Sequence, residues 1–258
     1  MRMVRIELDG CGRWGAVIGD QVQVLGQDLD GAPGAPAFAA SVPLDEAVLL
    51  APVEPTKVVA VGLNYRDHAE ELDMAIPEEP ILFMKPHSSV IGPGADIVMP
   101  SSSAQVDYEA ELAVVMGKRC KGVTADQAAE YILGYTCGND VTARDLQKRD
   151  GQWTRAKSFD TFCPIGPWIE TELDPSDVAV EGLVNGEVKQ SSRTGQMIFD
   201  VPTLVEFISG VMTLQPGDVI LTGTPPGVGP VADGDRVTIR VEGVGELTNP
   251  VRREQSAT

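Results

Sequence analysis

Short strand-like runs punctuated by turn signals recur along this chain, and they do not alternate with helices. Runs at 4–8, 14–18 and 22–25 are separated by Asp9-Gly10 and Gly19-Asp20, a pattern that reads as a small antiparallel meander. Further strands are predicted at 57–61, 81–84, 97–99, 109–116, 133–137, 219–221 and 236–241. Asn185-Gly186 between two alternating runs is a hairpin signal. Helices are expected over 67–72, with Asn64 near the N-cap, over 203–212, and from the capping-box pattern Thr124-Ala125-Asp126-Gln127 to 132. Without βα alternation a doubly wound sheet or an eightfold βα barrel is excluded, and no solenoid period is present.

The chain of 258 residues is long enough to bury a sizeable core. Gly31-Ala32-Pro33-Gly34-Ala35-Pro36 reads as a loop or linker, and Pro52 to Pro55 as a second break. A boundary there leaves a small N-terminal domain over 1–54 and a main domain over 55–258. Lys+Arg number 20 against Asp+Glu 38, a net charge of −18, which argues against nucleic acid or an anionic membrane as partner. It does not exclude an anionic substrate, because a bound cation and a few local Arg or Lys can invert the local field. No apolar run approaches a membrane span and no leader is recognised at the start. Cys11, Cys120, Cys137 and Cys163 are widely spaced with no C-x-x-C, so they are expected as buried small apolar residues in a reducing cytoplasm.

Val106-Asp107-Tyr108-Glu109-Ala110-Glu111-Leu112 is the stretch richest in chemistry. On a strand, Glu109 and Glu111 share a face, roughly 7 Å apart along the chain. A third carboxylate, Asp140 of Gly138-Asn139-Asp140, would complete one face of an octahedron suited to Mg²⁺ or Mn²⁺, with ligands at ~2.1 Å for Mg²⁺. Alternating acidic residues are also what an exposed strand carries for solubility, so this spacing acquires meaning only with the rest of the chain.

In Gly62-Leu63-Asn64-Tyr65-Arg66-Asp67-His68-Ala69-Glu70-Glu71, His68 and Glu71 are three apart and share a helix face. A carboxylate beside an imidazole fixes its tautomer and suits water activation. The break at Glu78-Glu79-Pro80 suggests that this helix sits on a mobile lid. Arg144 and Gln147 follow Asp140 closely and are placed to face the same site, Arg144 as a fork for a substrate carboxylate. Lys157 is a candidate point charge beside a developing oxyanion. Gly223-Thr224-Pro225-Pro226-Gly227 is too proline-rich for a phosphate loop and reads as a rigid turn or a pocket wall, with Thr224 donating to a carboxylate. His87 is expected as a loop or core histidine.

Together these segments, with Phe83-Met84-Lys85-Pro86, Ala156-Lys157-Ser158-Phe159-Asp160 and Thr222-Gly223-Thr224-Pro225-Pro226-Gly227-Val228-Gly229, resemble the fumarylacetoacetate hydrolase family over roughly 57–251. The resemblance implies an α+β, mostly β fold: a mixed-sheet β-roll with a small N-terminal β domain, and a homodimer. It implies Mg²⁺ or Mn²⁺ on Glu109, Glu111 and Asp140, catalysis by His68, Glu71 and Lys157, and substrate contacts from Arg144, Gln147, Thr224 and Tyr65. The chain is shorter than the founding hydrolase and resembles the short acylpyruvate hydrolases, oxaloacetate decarboxylases and bacterial 2-hydroxyhepta-2,4-diene-1,7-dioate isomerases of aromatic catabolism. All of these work on a small 2-oxo acid through a metal-stabilised enolate. The His–Glu pair favours hydrolysis of the C–C bond of an acylpyruvate, with isomerisation or decarboxylation as the alternatives. A catalytically silent binder of 2-oxo acids and a purely structural protein are the readings of another class.

Overall fold

The computed structural model describes residues 1–25 and 38–255, so the predicted linker at 31–36 lies outside the described residues. The protein is mostly β, with mixed sheets. An eleven-stranded sheet runs Phe38–Pro43, Gln21–Leu25, Cys11–Ile18, Arg2–Leu8, Cys163–Glu170, Ile132–Asn139, Ala110–Met116, Val219–Leu221, Val58–Val61 and Leu82–Lys85, with Val90–Ile91 beside Cys163–Glu170. Most neighbours are antiparallel; Val58–Val61 lies parallel to Val219–Leu221, and Val90–Ile91 parallel to Cys163–Glu170. The N-terminal meander is therefore continuous with the large sheet, joined through Arg2↔Glu170 and Met3↔Ile169. A five-stranded sheet (Glu187–Arg193, Ala179–Val184, Arg236–Val241, Gly245–Arg253, Ile97–Met99) packs on it. Asn185 and Gly186, at φ 53° and 83°, form the expected two-residue hairpin turn of that sheet.

Ala110–Met116 is buried along its whole length, because it is covered on both faces. Leu112, Val114 and Met116 enter the main core with Val237, Ile239 and Leu247. Ala113 and Val115, one residue out of phase, pack with Val58, Ala60, Ile165 and Ile169 on the other side. Helix Val201–Val211 closes the main core. Asp200 caps it by accepting from the Thr203 amide at 3.0 Å, and Val201, Leu204, Val205 and Ile208 form its buried stripe. Burying each of these branched side chains contributes on the order of 1.5–3 kcal/mol.

Several predicted elements change on folding. The expected strand at 109–116 forms as Ala110–Met116 of the large sheet, but it does not continue back through 106–108: Val106–Tyr108 belongs to a separate three-stranded sheet. Glu109 is the crossing point, its amide donating to the Asn139 side chain at 3.0 Å instead of to a ladder. The helix at 67–72 is Arg66–Glu71, entered from Tyr65. Asn64 does not cap it, because its side chain binds Phe199 and the Thr222 carbonyl. The capping box at Thr124 forms, but it starts a 3₁₀ helix, Ala125–Glu130, that ends before 132. Cys11 is exposed rather than buried, on a strand next to the turn at Asp9-Gly10; the other three cysteines are buried as expected.

The parallel pair one strand in from an edge of the large sheet is fastened by Asp218, which is fully buried. Its carboxylate accepts from the Thr56 amide (3.1 Å) and hydroxyl (2.6 Å), the Lys57 amide (3.2 Å) and the Gln215 amide (2.7 Å), and pairs with the Lys57 ammonium. Removing it leaves several donors and a mostly buried cation without an acceptor. Asp218→Ala is expected to cost about 3 kcal/mol in urea denaturation, with Asp218→Asn recovering part of the loss.

Candidate functional site

The sheet crossing at Glu109 determines the site. Glu111 is the second residue of Ala110–Met116 and pairs with Gly138, while the chain beyond Asn139 turns away at Asp140. The Asp140 amide donates to the Glu109 carbonyl at 3.0 Å, which ties the two chain reversals together. Carboxylate oxygens of Glu109, Glu111 and Asp140 consequently lie within 4.8 Å of one another, all three buried.

Cations surround two of the three. Lys157, on the short helix Thr154–Lys157, donates to Glu109 at 2.9 Å and to Asp140 at 2.6 Å. Lys85, fully buried at the end of Leu82–Lys85, binds the other Asp140 oxygen and the Val141 carbonyl. Glu109 also accepts from Arg144 at 2.6 Å and from the Thr142 hydroxyl at 3.0 Å. Burial opposes the charge of Glu109, but Lys157 and Arg144 outweigh it and hold the carboxyl down at about 2. Burial likewise opposes the Lys157 charge, and Asp140 and Glu109 reverse this and raise its pKa.

Among the described residues, Glu111 has no such cation in contact. One oxygen accepts from the Gly223 amide at 2.6 Å, and the other is buried with no hydrogen-bond partner. Burial, then repulsion from Asp140 and Glu109, raises its pKa well above the usual carboxylate range. A bare carboxylate oxygen aimed into a nest of oxygens is costly unless a cation meets it. The residues present therefore fit a hard divalent ion with all-oxygen ligation.

Beside this cluster lies a cavity of about 330 Å³. Glu109, Lys157, Arg144, Gln147, Thr224 and His68 all line it, and its apolar wall includes Phe83 and Trp153. A larger hollow of about 880 Å³ lies against the sheet edge at 81–87 and contains exposed His87 but none of the three carboxylates. Arg144 directs Nε to Asp107 (2.8 Å), Nη2 to Glu109 and Nη1 to Gln147 (2.7 Å), which leaves two guanidinium N–H groups for a ligand. Thr224 donates to the Ala110 carbonyl at 2.9 Å and accepts from Gln190 at 2.8 Å. Tyr65 is fully buried, its hydroxyl has no partner among the described residues, and burial followed by Glu111 and Asp67 raises its pKa.

His68 stands on Arg66–Glu71, where the three-residue spacing brings Nδ1 within 2.8 Å of Glu71. The other Glu71 oxygen accepts from the Gly227 amide at 3.0 Å. Gly227 sits at φ 92°, and a Cβ there would meet the Lys189 carbonyl oxygen at 2.2 Å, so the turn needs glycine. The helix start is held by Asp67, which accepts from the His68 amide at 3.0 Å and from the Ser192 hydroxyl.

Of the residues singled out in the sequence, His68, Glu109, Arg144, Gln147, Lys157 and Thr224 line one cavity, Glu111 and Asp140 join Glu109 in the carboxylate cluster, Glu71 is reached through His68, and Tyr65 is buried outside the cavity lining. Sequence reasoning missed Lys85, Asp107, Thr142, Asn139 and the Gly223 amide. Lys85 and Asp107 lie inside motifs already recognised, yet nothing in their spacing shows what they bind.

Comparison with known proteins agrees with this geometry. The fumarylacetoacetate (FAA) hydrolase C-terminal family matches residues 57–252, and an Rv2993c-like N-terminal family matches 1–52. The crystal structure of 5-carboxymethyl-2-hydroxymuconate delta-isomerase from Mycobacterium smegmatis is 50% identical, with a TM-score of 0.91 over 98% of this chain and 100% of that one. The mitochondrial oxaloacetate tautomerase Fahd2a of Rattus norvegicus is 45% identical over 83% of this chain and 74% of its own length. Maleylpyruvate hydrolase from Sphingobium sp. SYK-6, in complex with manganese(II) and pyruvate, is 33% identical, with a TM-score of 0.83 over 99% of this chain and 100% of that one. Family match, shared fold and the buried acidic cluster agree, and the chain belongs to the fumarylacetoacetate hydrolase family.

Proposed function

We propose that this protein is a divalent-metal-dependent enzyme of 2-oxo or enol dicarboxylic acids that hydrolyses the C–C bond of an acylpyruvate. The observation carrying this reading is that His68, paired with Glu71, and Lys157 line the same cavity as Glu109. Glu109, Glu111 and Asp140 would hold Mg²⁺ or Mn²⁺, which would supply Lewis-acid stabilisation to an enolate.

The chain's own residues account for the proton steps. With Nδ1 held by Glu71, His68 keeps Nε2 as the basic nitrogen. It takes a proton from water as the water oxygen bonds to the distal carbonyl carbon. Lys157 has engaged two of its three N–H groups with Glu109 and Asp140 and offers the third to the oxyanion. When the C–C bond breaks, its electron pair passes to C3 of the pyruvoyl fragment as the enolate; protonation there gives pyruvate, and the other fragment leaves as a carboxylic acid. The free N–H groups of Arg144, with Gln147 and Thr224, would orient the substrate. A homodimer, a cytoplasmic setting, a role in aromatic catabolism, and the absence of nucleic-acid or membrane partners belong to the same proposal.

Isomerisation or tautomerisation is the second reading. It is favoured by the activities named for the relatives at 50% and 45% identity, against 33% for the manganese-bound hydrolase. In that case His68 moves a proton along an enol and no water attacks. A panel of acetylpyruvate, fumarylpyruvate, oxaloacetate and 2-hydroxyhepta-2,4-diene-1,7-dioate, with and without chelator, separates the readings. Pyruvate and acetate from acetylpyruvate support hydrolysis, and turnover of the dienoate alone supports isomerisation. Turnover of none supports a silent binder.

His68→Ala is expected to lower acylpyruvate cleavage by about 10²–10⁴-fold while calorimetric Mn²⁺ binding is kept; unchanged turnover would remove His68 as the base. Glu111→Gln relieves the repulsion within the cluster and removes a ligand. It should raise the melting temperature in EDTA, abolish the Mn²⁺-dependent rise, and weaken Mn²⁺ binding by about 100-fold.

A further inference from the structure

Helix Arg144–Asp150 presents Arg144, Gln147 and Lys148 at positions i, i+3 and i+4, and all three line the 330 Å³ cavity. The first two are tied to the carboxylate end: Arg144 to Asp107 and Glu109, Gln147 to Arg144. Lys148 is different. It is exposed, and among the described residues its ammonium has no carboxylate within ion-pair distance and no hydrogen-bond acceptor. Lys157, the other lysine of the cavity, is bound to Glu109 and Asp140. In a protein of net charge −18, an unpaired cation lining this cavity is a local exception.

The surfaces near it are apolar. Leu72, Met74, Phe83 and Trp153 line the same cavity, and Leu72 and Met74 are half exposed, at 48% and 52%. The cavity therefore combines a carboxylate cluster with its cations, an apolar wall, and one free ammonium. A ligand matching that pattern has a 2-oxo acid head, a hydrocarbon middle and a second anionic end.

We infer that Lys148 binds a second carboxylate at the far end of the substrate and so sets a preference for 2-oxo dicarboxylic acids over those ending in an alkyl group. The inference rests on the 2-oxo dicarboxylic acid reading proposed above and goes beyond it by naming the residue that meets the distal carboxylate. Lys148 takes no part in bond breaking; its contact is a charge-assisted hydrogen bond, made as well in the bound substrate as in the transition state. Its effect falls on KM, and added salt weakens it.

Fumarylpyruvate and acetylpyruvate differ in that distal carboxylate and serve as the test pair. In Lys148→Gln the ratio of kcat/KM for fumarylpyruvate to that for acetylpyruvate should fall about tenfold, through KM. Lys148→Glu should lower it further, and Lys148→Arg should restore it to within about twofold of wild type. The same preference should be read without turnover, as calorimetric affinities of the two acids for Mn²⁺-loaded His68→Ala protein with and without Lys148→Gln. An unchanged ratio in Lys148→Gln, in rate or in binding, overturns the assignment. Loss of turnover on both acids in wild type, with the binding preference intact, sinks the hydrolase reading and leaves Lys148 in place.

Discussion

Three carboxylates confined to one small volume of the interior repel one another, and the surrounding structure is arranged to relieve that repulsion. Lys157 bridges two of them, Lys85 holds Asp140 from behind, and Arg144 with Thr142 engages Glu109. What remains uncompensated is concentrated on Glu111, whose second oxygen has no partner. A fully neutralised cluster would have little affinity for a cation, and a bare one would resist folding. The observed balance lies between these limits: enough positive charge to bury the site, and too little to satisfy it.

That balance depends on the backbone path. Had 106–116 formed one uninterrupted strand, Glu109 and Glu111 would have shared a face at ordinary spacing, with Asp140 delivered by the neighbouring strand. Instead the chain leaves one sheet at Tyr108 and joins another at Ala110. The irregularity frees the Glu109 amide for Asn139 and the Glu109 carbonyl for the Asp140 amide. The three carboxylates come together by a different route from the one the alternation suggested.

The difference shows what a sequence can carry. Local periodicity located the strands of the meander, the hairpin at Asn185-Gly186, the helix ending near 211 and the one bearing His68. His68 and Glu71 were legible because a helix brings residues three apart together, whatever surrounds them. Lys85 meets Asp140 across 55 residues, and Gly223 meets Glu111 across 112, so no window of sequence contains either pair. The joining of Arg2 to Glu170 is hidden for the same reason. Strands of the large sheet such as Cys163–Glu170 were unread because, buried on both faces, they lack alternation.

The imidazole and its carboxylate stand on six residues of helix, Arg66–Glu71, outside the strands that carry the acidic trio. Chemistry that differs only in how a proton is handled can thus diverge by edits to a single helical turn, with the ion pocket inherited untouched. A scaffold partitioned in this way suits a family whose members include isomerases, tautomerases and hydrolases.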